Sequence, residues 1–124
     1  MGIRIGSTVV NVTDLARGID FWAAALGYVV RDGQHDDDFA VLVPPGGGGW
    51  SNLSLQLTDA PKGGTNRLHL DLYADDQAAE VERLLGVGAG RPPWDHPGDA
   101  DFVVLADPDG NEFCVIDKGV VTGE

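Results

Sequence analysis

The chain reads as an α+β protein built from two successive βαβββ modules. Two observations carry this. The order strand, helix, strands occurs twice, on either side of a linker-like stretch at 59–65 (DAPKGGT), and repetition of element order marks an internal structural repeat. Both halves also hold strands that alternate apolar and polar residues, the pattern of a sheet with one face on a core. The 124 residues are placed in one domain, with modules at 3–58 and 66–117.

Residues 3–12 (IRIGSTVVNV) are rich in β-branched residues and predict the first strand. Thr13 and Asp14 are candidate caps for a helix whose face is marked by Leu15, Ile19, Trp22 and Leu26, with Gly27 at its end. Short strands are expected at 28–32 and 38–43. A further strand at 53–58 sets Leu53, Leu55 and Leu57 against Ser54, Gln56 and Thr58. The second module opens at 66–73, with Leu68, Leu70 and Leu72 opposed to His69 and Asp71. Asp75 is the expected cap of a helix that carries Ala78, Val81, Leu84 and Leu85 and stops at Gly86. Strands at 101–106 and 112–117 are joined by the turn Asp107-Pro108-Asp109-Gly110. A sixth strand belongs near 87–91, but Gly86, Gly88 and Gly90 make it poor strand material.

The composition narrows the function. A net charge of −12 argues against nucleic acid, whose phosphates need a basic face, and against anionic membrane surfaces. A single cysteine allows no internal disulfide and suits a reducing cytoplasm. The opening residues show no apolar leader run. Residues 39–58 carry no charge, but Pro44, Pro45 and Gly46–Gly49 exclude a membrane helix there. The glycine runs lack the lysine or serine spacing of a phosphate loop. The tip His35-Asp36-Asp37-Asp38 reads as a solvated charge run.

Three segments carry a family resemblance: VVNVTDLARGIDFWAAALGY (9–28), NRLHLDL (66–72) and LADPDGNEFCVI (105–116). In this order and spacing they resemble the vicinal oxygen chelate superfamily, which includes glyoxalase I, extradiol dioxygenases, fosfomycin-resistance enzymes and bleomycin-binding proteins. The resemblance implies eight strands curled around a cavity with the helices outside, and a homodimer. It also implies four metal-holding positions, which fall here at Ser7, Gln56, His69 and Cys114. A hydroxyl and a neutral amide are weak donors, and a cysteine binds only as thiolate, so the set predicts no metal and no cofactor. Glu112 shares the face of Cys114 but lies about 7 Å nearer the turn by strand rise.

The expected cavity residues are therefore Ser7, Ser54, Gln56, His69, Asp71 and Cys114, with Trp50 and Trp94 at its mouth. Each has a second reading. His69 is either a general base or a histidine satisfied by Asp71. Cys114 is either a thiol activated by His69 or an inert strand residue. Ser54, Gln56 and Asp71 either orient a bound molecule or face solvent. Trp50 and Trp94 either line a mouth or subunit contact, or plug a loop, whereas Trp22 belongs to the core. The leading expectation is a metal-independent protein that binds an amphipathic, neutral or cationic small molecule. A metal-dependent lyase or dioxygenase and a metal-free acid–base catalyst remain the alternatives.

Overall fold

The computed structural model describes residues 5–46, 51–64, 68–96 and 98–118. The chain divides into two compact units, Met1–Pro61 and Lys62–Glu124, and the division falls inside the stretch 59–65.

In the first unit, β1 (Ser7–Val12) leads into α1 (Leu15–Leu26), followed by β2 (Val29–Val30), a short 3-10 turn at Arg31–Gly33, β3 (Phe39–Val43) and β4 (Asn52–Leu57). The sheet order is β1-β4-β3-β2; β1 runs parallel to β4 and the other pairs are antiparallel. Asp14 Oδ1 accepts the Arg17 N–H at 3.0 Å, satisfying a donor that the first helical turn leaves open. Gly27 takes the left-handed conformation (φ 70°) and its N–H donates to the Ala23 carbonyl, closing the other end. The buried face of α1 is Leu15, Gly18, Phe21, Trp22 and Ala25. Ile19 and Leu26 are only half-buried, so the true face is rotated slightly from the one that spacing suggested. Phe21 and Trp22 meet edge to face, 5.0 Å between ring centroids.

In the second unit, β5 (Leu70–Ala74), α2 (Gln77–Gly86), β6 (Phe102–Ala106) and β7 (Glu112–Asp117) form a three-stranded sheet of order β5-β7-β6 beside one helix. β5 is parallel to β7 and β6 is antiparallel to it. Asp76, not Asp75, caps α2: its Oδ1 accepts the Ala79 N–H at 3.1 Å. Both aspartates precede the helix, and the one a residue nearer holds the cap position. Val81 and Leu84 are buried as expected, whereas Ala78 is exposed. Asp107, 4% exposed, organises the 107–110 turn. Its Oδ1 accepts the N–H groups of Asp109 and Asn111, and its Oδ2 accepts the Asn111 amide.

The fold is thus α+β with two mixed sheets of four and three strands, neither closed. The differences from expectation are local. β1 starts at Ser7 and β5 at Leu70, later than the strand-rich composition suggested, and Leu68 is 86% exposed. In place of the sixth strand, one bridge joins Gly90 to Ala106, because glycines leave no side chains to hold a longer ladder. No helix among the described residues is long and apolar enough to cross a membrane.

Candidate functional site

The site lies on one face of the second sheet and follows from strand alternation. Glu112, Cys114 and Ile116 project from the same side of β7 because side chains two apart share a face. Register then supplies the neighbours. Asp71 of β5 lies opposite Cys114, while Val104 and Phe102 of β6 lie opposite Cys114 and Ile116. His69, two residues before Asp71, extends the β5 row. These groups, with Trp94 from the irregular segment after Gly90, line a pocket of about 370 Å³. The opposite face of β7 belongs to the core: Phe113 and Val115 are each 1% exposed, and the Gln77 amide of α2 donates to the Val115 carbonyl.

The pocket is mostly apolar, with its polar groups gathered at one end. His69 Nε2 stands 3.1 Å from Asp71 Oδ1. His69, Asp71 and Cys114 place one ligating atom each within 4.8 Å of one another. Burial, then the charges of Asp71 and Glu112, push the Cys114 thiol above its ordinary pKa. It is therefore a proton-holding, weakly nucleophilic thiol. Trp94 is 48% exposed and forms an outer wall. Its segment is anchored by His96, whose Nε2 accepts the Val104 N–H at 3.1 Å and whose ring tilts against Phe102.

The structure brings together His69, Asp71, Cys114 and Trp94 of the expected residues. Ser7, Ser54 and Gln56 belong to the first unit. Ser54 is 1% exposed, and its Oγ lies 2.6 Å from Ser7 Oγ. The Gln56 amide donates to the carbonyls of Asp38 and Leu57. Trp50 lies outside the described residues. Phe102, Val104, Glu112 and Ile116 were missed as lining residues. The signal was available, since each shares strand parity with a residue on the site face once register is known.

The four positions that resemblance assigned to a metal do not suit a divalent ion of the family's kind. Ser7 and Gln56 are bonded elsewhere in the chain, which leaves His69 and Cys114 as the two remaining donors of that set. Hard or borderline ions need deprotonated, oriented donors.

The glyoxalase-like domain family matches residues 7–116, and the chain belongs to that family. Solved structures agree in fold. A glyoxalase/bleomycin resistance protein/dioxygenase family enzyme from Burkholderia phytofirmans PsJN is similar over 93% of this chain and 98% of its own, with a TM-score of 0.71 at 16% identity. A member of the glyoxalase/bleomycin resistance protein/dioxygenase superfamily from Sphaerobacter thermophilus DSM 20745 is 26% identical, with a TM-score of 0.65 and coverage of 94% and 98%. TnmS3, an antibiotic binding protein from Streptomyces sp. CB03234, is 22% identical with a TM-score of 0.62 and the same coverage. No curated protein matches the chain.

Proposed function

We propose that this chain binds a small organic molecule, without a metal, in the pocket between Trp94 and the β5–β7–β6 face. The observation that carries this is the pocket itself: about 370 Å³, walled by Trp94, Phe102 and Val104, with polar groups only where His69, Asp71, Glu112 and Cys114 meet. An apolar hollow of that size with a few convergent polar groups is the usual form of a small-molecule site. The similarity to an antibiotic binding protein supports the same reading. The homodimer and the cytoplasmic location expected from the sequence belong to it as well. Should the bound molecule be turned over, His69, held by Asp71, is the group placed to move a proton.

A thermal-shift screen of small organic molecules tests it. A molecule present at 100 times its Kd should stabilise the protein by about 2.7 kcal/mol, and Trp94→Ala should abolish the shift. A broad panel that moves the melting temperature nowhere removes the proposal. The rival is a metal-dependent lyase or dioxygenase, favoured by the approach of His69, Asp71 and Cys114 within 4.8 Å. Elemental analysis after chelator-free purification separates the two. Stoichiometric metal in the native protein, lost in His69→Ala, establishes the rival.

A further inference from the structure

Resting on the pocket reading, we infer that the occupant is an organic cation: an aromatic or branched apolar body carrying one protonated amine or amidine. Two carboxylates face the pocket from adjacent strands. Asp71 sits on β5 directly opposite Cys114, and Glu112 sits two residues before Cys114 on the same face of β7. No lysine or arginine stands among the described lining residues. The one histidine among the described lining residues, His69, lies against Asp71, its Nε2 3.1 Å from Asp71 Oδ1.

The rest of the wall suits the other end of such a molecule. Trp94, Phe102, Val104 and Ile116 offer apolar area, and an indole ring attracts a cation as well as an aromatic body. An anion entering here meets two like charges, in a chain whose net charge is −12. A neutral molecule gains the apolar walls and a hydrogen bond to the acids weaker than the one a cation makes.

The test uses the native full chain and three compounds that share a naphthalene body: naphthylmethylammonium, naphthalenemethanol and naphthoate, titrated by calorimetry at low and high salt. The ammonium compound should bind about tenfold more tightly than the alcohol at low salt, as one charge-assisted contact at a half-exposed site provides. Naphthoate should bind weakest, and salt should narrow the gap. Asp71→Asn with Glu112→Gln should bring ammonium and alcohol to near parity. Alcohol binding that is unchanged in the double variant shows that the pocket is still folded. Equal binding of ammonium and alcohol by the native protein, both lost in Trp94→Ala, overturns the cation preference and leaves the pocket reading standing. Tightest binding of naphthoate does the same. Uptake of none of the three by the native protein removes both.

Discussion

Gly18→Ala sets two opposed terms against each other inside α1, and the structure fixes which is larger. A glycine within a helix costs about 0.5–1 kcal/mol relative to alanine, so the substitution gains that much from the backbone. The added Cβ, however, would stand 3.0 Å from Val12 Cγ1 and 3.4 Å from both Val12 Cβ and Cγ2. Val12 has little room to yield. It is 0% exposed, it pairs with Leu57 at the end of β1, and its carbonyl accepts the Thr58 N–H at 2.9 Å. Its branched side chain is also stiff at χ1. Overpacking of this kind costs about 1–3 kcal/mol. The expected net is a loss of about 1 kcal/mol. Val12→Ala alone, which deletes two buried methyl groups, should cost about 2–3 kcal/mol. In that background Gly18→Ala should instead stabilise, by about 0.5–1 kcal/mol, because the helix gain survives and the clash does not. Urea unfolding followed by circular dichroism reads all four corners of the cycle, with the m-value as the check that only stability changed. A Gly18→Ala protein more stable than the parent, or effects that simply add, would refute the close approach of α1 to Val12.

Three other outcomes follow from single residues. Asp107→Ala removes a buried carboxylate that accepts three hydrogen bonds, and should cost about 2–3 kcal/mol by urea unfolding, with Asp107→Asn recovering part; a loss near zero would mean the turn holds without it. Alkylation of Cys114 by iodoacetamide should be slow, with its pH midpoint above that of a free thiol and lowered in Asp71→Asn. The sign also fixes the effect on stability: a thiol that keeps its proton in the fold contributes below the free-thiol pKa, and that contribution is lost as pH climbs through the folded value. A midpoint below that of a free thiol overturns the reading of the pocket floor as acidic and half-buried. His96→Ala should cost about 1 kcal/mol and move the Trp94 resonance toward its unfolded position in fluorine spectra of fluorotryptophan-labelled protein, where Trp94→Phe assigns the signal; an unmoved signal would show that His96 does not hold the segment.

What could be read from the chain was whatever local chemistry decides. Asp14 and Gly27 bracket α1 because a cap acts within one turn, and the Asp107–Gly110 reversal is written in four consecutive residues. The choice between Asp75 and Asp76 depends on which holds the cap position, and no residue type announces that. The site was half legible. Alternation put His69 with Asp71, and Glu112 with Cys114, on common faces. That Asp71 lies opposite Cys114 is a matter of β5–β7 register, set by packing across more than forty intervening residues. Ser54 shows the same limit from the other side. Its polar row predicted a cavity or solvent, yet it is buried, because a hydroxyl partner arrives from Ser7 on another strand.

The poorest strand signal in the sequence and the outer wall of the pocket have one cause. Between Leu85 and Trp94, three glycines and two prolines replace what would be the second strand of the second module. The ladder along the outer edge of β6 therefore begins at Gly90, which exchanges both hydrogen bonds with Ala106, at 2.8 and 2.9 Å. It cannot continue through Pro92 and Pro93, which have no N–H to give. The next outward donor on that edge, the Val104 N–H, would be left open. It is taken instead by the His96 side chain. A side-chain acceptor makes no demand that the intervening backbone stay in the plane of the sheet, so residues 91–95 are released from pairing while both ends of the segment stay fixed to β6. That release lets Trp94 join Phe102 in lining the pocket. A regular strand in the same place would alternate its side chains across the sheet edge and satisfy the Val104 N–H through its own backbone. His96 would then have no partner on β6, and the pocket would lose the one aromatic wall that the sheet does not itself provide.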